Sequence, residues 1–421
     1  MDPLRFDRLT RALGTRLSRR SALSAGVGLG GLTLASTHAV STTAQEATPV
    51  VAPVAGETAT AIVVSATNDP LRVSGSDGVD HLEYDLLVTN GFGAPVTLTS
   101  IAVTAPDGET LLRLDGDALT AVTQFLLGKT PAAEIPASGT VAVVMDVTVP
   151  PDRVVESVSH QITYEVAPDA PARSLIGAYA VNGPQWPIDP HPTTIIAPPL
   201  RGDGWFANNG CCAAQSIHRA IRIPVDGARI GKPETFAIDF ARLREGEPFS
   251  GDGARPEDWY GFGAEVLAVA DGTVVAVADG YPEQAPLQPI TGITKSEDYG
   301  GNSVVLEIAP GVYADYAHLQ PGSITVAVGE QVTAGQVLGL LGNSGNSSGP
   351  HLHFGLIDDP DPLVGKSLPM AFDHWTLQGT FDLDAYDAAG GVDAPSALML
   401  KEVPEPQDGT LQLYLDVANF G

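Results

Sequence analysis

The chain has 421 residues, of which 43% are hydrophobic and 17% charged, and 22 basic residues against 50 acidic ones give a net charge of -28. This length holds two or three domains with buried cores, and the composition excludes a disordered acidic tail. The acidity excludes a nucleic-acid binder, which needs a basic face, and two cysteines exclude a disulfide scaffold.

Residues 1–44 read as an export signal. Residues 1–20 carry six arginines against two aspartates, and no Asp, Glu, Lys or Arg occurs from 21 to 45. The uncharged run from Ser24 to Val40 is too short and too mildly apolar for a stable span. Thr42-Thr43-Ala44 offers a cleavage site, and Ser18-Arg19-Arg20-Ser21-Ala22-Leu23 resembles the twin-arginine signal. A protein exported to the cell envelope or beyond, with no transmembrane span in its mature chain, is the expectation. An uncleaved basic anchor is the other reading.

Residues 50–180 alternate in short runs broken by turns. Leu82-Glu83-Tyr84-Asp85-Leu86-Leu87-Val88, Val96-Thr97-Leu98-Thr99, Val141 to Val147 and His160 to Tyr164 have period two, with turns at Asn90-Gly91 and Pro106-Asp107-Gly108. The spacing predicts an antiparallel β-sandwich of immunoglobulin-like type. His81 and His160 stand alone in it, and both read as ordinary strand or loop residues. Residues 181–200, with Pro184, Pro187, Pro190, Pro192, Pro198 and Pro199, read as a linker or bridging strand.

Residues 201–368 form a second all-β pattern with an internal echo. Gly263-Ala264-Glu265-Val266-Leu267-Ala268 and Gly329-Glu330-Gln331-Val332-Thr333-Ala334 share G-x-x-V-x-A, and each leads into a further turn and strand. Such an echo predicts a sheet built by duplication. Ahead of it, Trp205, Phe206, Asn208 and Asn209 are candidates for lining a cleft or for a covering loop. Adjacent Cys211 and Cys212 read by default as packed thiols; a vicinal disulfide and a contribution to the His218 region stay open.

The histidines carry the chemistry. In Gly349-Pro350-His351-Leu352-His353-Phe354 two imidazoles sit two residues apart, so on a strand both face one side. His318 ends another expected strand, and Asp239 is a carboxylate flanked by apolar residues that needs a partner. Imidazoles with a carboxylate suit tetrahedral Zn2+ with one position open to water.

With these residues in order, Phe236 to Phe354 resembles the lysostaphin-like zinc metallopeptidases that cut peptidoglycan peptides. The supporting pieces are Ala237-Ile238-Asp239, Gly301-Asn302-Ser303-Val304-Val305, Tyr316-Ala317-His318-Leu319, Val328 to Gly342, and Gly342-Asn343-Ser344-Gly345 leading to the H-x-H. The resemblance implies a duplicated hybrid motif fold and hydrolysis of a peptide bond by metal-activated water, with peptidoglycan or another extracellular peptide as substrate. It implies Asp239 and His353 as zinc ligands. His318 and His351 would orient the water, take its proton and stabilise the tetrahedral intermediate. The family pattern is H-x-x-x-D, and Thr235 stands four residues before Asp239. A hairpin through Pro224 and Gly227 would return His218 toward Asp239, as a replacement ligand or as a structural histidine. The rival reading is a degenerate peptidase fold that binds cell-wall polymer or regulates another hydrolase. A sugar phosphocarrier of similar fold conflicts with the export signal. Residues 369–421 read as an extension packing on the peptidase domain, with a last strand from Leu411 to Val417.

Overall fold

The computed structural model describes residues 57–126, 132–382, 384–385 and 397–421. The export signal lies outside the described residues. Among them, no helix is long and apolar enough to cross a membrane. The fold is all-β.

The first half contributes β1 (Ile62–Ala66), β2 (Leu71–Ser74), β3 (Asp80–Asn90), β4 (Val96–Thr104), β5 (Thr110–Asp115), β6 (Thr123–Phe125), β7 (Glu134–Ile135), β8 (Thr140–Val149), β9 (Ser157–Val166), β10 (Ala180–Asn182) and β11 (Trp186–Pro187). One sheet runs β1-β3-β8-β6 with β2 beside β3; the other runs β10-β9-β4-β5 with β7 and β11 attached. The two share one apolar core. Leu82, Tyr84 and Leu86 of β3 and Val143, Met145 and Val147 of β8 meet Ile101 and Val103 of β4 and Ile162 and Tyr164 of β9. This is an antiparallel sandwich built by period-two alternation. Alternation predicts a solvated outer face, yet His81, Glu83 and Asp85 on the outside of β3 are all buried. The second half of the chain covers them.

That half contributes β12 (Thr194–Ile196), β13 (Trp205–Asn209), β14 (Ile223–Val225), β15 (Arg229–Gly231), β16 (Ile238–Arg242), β17 (Glu265–Leu267), β18 (Gly272–Ala278), β19 (Asn302–Ala309), β20 (Val312–Leu319), β21 (Gln331–Val332), β22 (Val337–Leu340), β23 (Leu352–Ile357), β24 (Met370–Phe381), β25 (Leu398–Thr410) and β26 (Asp416–Asn419). Its main sheet runs β12-β24-β26-β13-β16-β23-β20-β19-β18-β21, with β25 beside β24. The chain from 370 onward therefore enters the same sheet as the histidine-bearing strands. The last strand falls at Asp416–Asn419, a correction to the expected Leu411–Val417. Leu415 has a φ of 72°. Leu413 N–H donates to Asp416 Oδ2 at 3.0 Å, so residues 413–416 turn tightly before pairing resumes.

The internal echo has a structural cause. The first strand of each copy pairs with the second strand of the other: β17 with β22, and β21 with β18. Reciprocal bonds close each crossing, Ala268 N–H to Gln336 O and Gly335 N–H to Ala268 O on one side, both 2.8 Å. Gly263 and Gly329, which open the two copies, have φ of 78° and 87°. Both turns need the left-handed backbone that glycine adopts without a Cβ penalty.

Candidate metal centre

Four adjacent strands set the site by register. Asn209 on β13 faces Asp239 on β16, Asp239 faces His353 on β23, and His353 faces Ala317 on β20. Directly opposed residues project to the same side of a sheet, so this row lies on one face. His318 follows Ala317 and would by alternation face away. Its φ of 67° breaks the alternation. Its ring lies 4.7 Å from that of His351 and 6.0 Å from that of His353, centroid to centroid.

His218 arrives from the other direction. The β14–β15 hairpin, turning at Asp226-Gly227, folds the chain back. The four-residue helix Ile217–Ala220 then sits against β16. His218 is buried, with Nδ1 bonded to Ala237 O at 2.9 Å. A carbonyl only accepts, so Nδ1 carries a proton, and Nε2 lies 3.2 Å from Asp239 Oδ2. His353 Nδ1 lies 2.9 Å from Asp239 Oδ1. The ligand-capable atoms of His218, Asp239 and His353 all fall within 4.8 Å of one another. Thr235 is buried nearby in sequence and offers no imidazole.

The two remaining histidines are oriented alike. His318 Nδ1 meets Ser344 O at 2.8 Å, and His351 Nδ1 meets Gly349 O at 2.8 Å, with Ser347 Oγ at 3.1 Å. Each imidazole is thus held through Nδ1, and His351 Nε2 lies 3.5 Å from Asp239 Oδ1. All five residues singled out from the sequence come together in one cluster.

Charge inside the cluster is strongly coupled. Burial disfavours the Asp239 carboxylate, yet His218 and His351 outweigh it and hold its pKa well below the usual range. Burial also opposes protonation of His353, but Asp239 raises it to about 9, and the same opposition raises His218. His318 goes the other way: burial, then His351 and His353, hold it neutral with a pKa well below the ordinary value.

Sequence reasoning missed Glu234, whose Oε2 lies 3.8 Å from His218 Nε2. Its only signal was adjacency to Thr235. Asn209, named as a cleft candidate, donates Nδ2–H to Asp239 Oδ2 at 2.8 Å and accepts from Ile217 N–H at 3.3 Å. Trp205 and Phe206, named with it, belong to the core instead. Cys211 and Cys212 correct the packed-thiol expectation. They are disulfide-bonded, and the peptide between them is cis, with Cα atoms 3.0 Å apart. The expectation assumed the trans spacing. His81, Glu83 and Cys212 also lie close together. There, however, the sulfur is committed to Cys211, His81 to Asp146 and Asp77, and Glu83 to Arg219.

With the geometry in place, kinship can be read. Residues 260–363 match the sequence profile of peptidase family M23. These residues form a peptidase M23 domain. The M23 segment contains His318, His351 and His353; His218 and Asp239 precede it. The chain is similar to the peptidoglycan DD-endopeptidase ShyA of Vibrio cholerae serotype O1, 35% identical over 107 residues, 25% of this chain and 24% of that protein. It is likewise similar to the DD-carboxypeptidase/endopeptidase Mpg of Neisseria meningitidis serogroup B, 35% identical over 96 residues, 22% of each chain. It thus spans about a quarter of the length of these curated relatives. Among solved structures, the catalytic domain of the antimicrobial peptidase lysostaphin from Staphylococcus simulans aligns at 22% identity and a TM-score of 0.21, covering 34% of this chain and 80% of that one.

Proposed function

We propose that the chain is an exported zinc metalloendopeptidase that hydrolyses peptide bonds in peptidoglycan cross-links. The observation that carries this reading is the convergence of His218 Nε2, Asp239 and His353 Nδ1 within 4.8 Å, beside two histidines that are each held by a backbone carbonyl through Nδ1. Two imidazole nitrogens and one carboxylate oxygen fit Zn2+ with a fourth position left for water. His218 stands in for the imidazole that the family pattern carries at Thr235, and its Nδ1 bond to Ala237 O fixes the ligating tautomer. Zinc, when bound, would supply a Lewis acid for the water and for the scissile carbonyl.

The chain's own residues divide the remaining work. Asp239, ionised throughout the neutral range, anchors one side of the site and aligns His218 and His353. His318 is kept neutral by burial, so its Nε2 accepts the proton as the water O–H bond breaks. His351, held through Nδ1 by Gly349 O, in its doubly protonated form donates Nε2–H to the oxygen of the tetrahedral carbon and stabilises its charge. The proton then passes to the leaving amine nitrogen as the C–N bond breaks.

The test is digestion of purified cross-linked muropeptides by the zinc-supplied full chain, read by mass spectrometry. With wild type, each cross-linked muropeptide is expected to take up one water per bond cut and to separate into its uncross-linked halves. His318→Ala and His351→Ala are each expected to keep the metal and to lose roughly 10²–10⁴-fold in rate. A zinc-loaded wild type that leaves every cross-link intact while binding wall sacculi would replace this reading with the binding module.

A further inference from the structure

The helix that carries His218 has two faces and two attachments. His218 points to Asp239, and the next residue, Arg219, points into the sandwich. Arg219 is 0% exposed. Its Nη1 pairs with Glu83, and its Nη2 reaches Asp85 Oδ1 at 3.5 Å and Met145 O at 3.3 Å. Glu83 and Asp85 belong to β3, and Met145 to β8, so every one of these partners is in the sandwich. Arg222, just past the helix, donates Nε–H to Asp85 Oδ2 at 2.7 Å and Nη1–H to Gln124 Oε1 at 3.2 Å. Lys232 closes the loop: its ammonium lies 3.0 Å from Asp85 Oδ2 and donates to Arg219 O, the carbonyl of the helix itself, at 2.5 Å.

We infer that Arg219 and Lys232 are positioning residues for the metal site, and that the sandwich, through Glu83 and Asp85, holds the helix at which His218 meets Asp239. This inference deepens the zinc-site reading and rests on it. A four-residue helix has no length to hold itself in place. On the second half it is tied by His218 Nδ1 to Ala237 O, His218 Nε2 to Asp239 and Glu234, Ile217 N–H to Asn209 Oδ1, and Lys232 Nζ to Arg219 O. The ion pairs of Arg219 and Arg222 all go to the other half. Burial raises the Glu83 carboxyl against the pull of Arg219, while Asp85, equally buried, is held down to about 2 by Lys232, Arg222 and Arg219. Guanidinium and carboxylate in such a dry setting accept little displacement, because any shift strands a charge. The network therefore fixes a position that Thr235, on the strand side, no longer supplies. The family pattern carries its first imidazole four residues before the aspartate; here the imidazole is delivered by a separate element clamped from outside the M23 segment.

The experiment uses the full chain and a double-mutant cycle, with Co2+ as metal probe and Zn2+ affinity measured by chelator competition. Glu83→Leu/Arg219→Met replaces the buried pair by apolar groups of similar volume, an exchange that commonly preserves folding; Lys232→Met removes the tie to the helix carbonyl. Each is first checked for a cooperative melt. Both are expected to weaken Co2+ and Zn2+ about tenfold or more and to shift the visible Co2+ band that reports its coordination. Arg219→Lys, which keeps the charge and loses the fork, is expected to fall between them and wild type. In a His218→Ala background the same changes are expected to cost less than twofold, because the ligand they position is gone. Folded network variants that bind both metals within twofold of wild type, with an unshifted Co2+ band, overturn the inference while leaving His218 as ligand. A His218→Ala protein with undiminished affinity overturns the zinc-site reading first.

Discussion

At the scale of single residues, the site depends on backbone positions that only certain side chains tolerate. Gly301 and Gly345 face each other with φ of 61° and 72°. A Cβ on Gly345 would lie 2.4 Å from Gly301 N and 2.6 Å from Tyr299 O. Their closeness sets Ser344, whose carbonyl oxygen orients His318. Gly345→Ala is expected to cost about 2–4 kcal/mol, from the left-handed backbone and the clash together. It should also lower turnover in the surviving folded fraction. Urea melts and initial rates check both, and a melt unchanged within error would contradict the packing argument. His81 gives a second residue-scale test, away from the site. Burial disfavours its charged form, but Asp146 and Asp77 outweigh that and raise it to about 10. A raised histidine contributes stability that is complete below its unfolded pKa of about 6.5 and is lost as pH climbs through 10. The stability gap between wild type and His81→Gln is therefore expected to be largest near pH 6 and to close by pH 10. A gap that widens with pH would reverse the sign.

At the scale of elements, β24, β25 and β26 are structural members of the sheet that carries Asp239 and the histidine cluster. Phe420, next to β26, packs on Phe240 of the Asp239 strand at 5.7 Å and on Phe372 of β24 at 5.5 Å, ring centre to ring centre. Phe420→Ala is expected to destabilise the fold by about 3–5 kcal/mol, read by urea denaturation; a loss under about 1 kcal/mol would make this end of the chain a dispensable tail. Elements also show how far the sequence could be read. Period-two runs located β3, β4, β8 and β9, and the H-x-H with His318 and Asp239 located the cluster, because strand alternation and ligand type are local properties. His218 was reachable only as a leftover imidazole ahead of a hairpin signal. Glu83, Asp85, Arg219, Arg222 and Lys232 were invisible for a physical reason. Charges at alternate strand positions ordinarily face water, and nothing local says that another half of the chain will cover them. Glu234 and the Asp416 turn escaped in the same way, since each acts through partners distant in sequence.

At the scale of the molecule, the two halves share a buried seam. Leu71 and Val73 of the sandwich join the apolar core of the second half. Gly75 bridges to Leu411, and Ser76 Oγ bonds Asp416. Removing the sandwich would expose this seam and leave Arg219, Arg222 and Lys232 without the anions that hold them in place. The sandwich half thus enters our proposal as part of the frame of the site. The claim on which the whole proposal turns is that His218, Asp239 and His353 hold one zinc in spite of Thr235. The most direct measurement is metal stoichiometry of the purified, zinc-supplied full chain beside His218→Ala and Asp239→Ala, with folding verified for each. The account predicts about one zinc per wild-type chain and its loss from both variants. A folded wild type without zinc would contradict it, and zinc retained by His218→Ala would remove His218 from the ligand set.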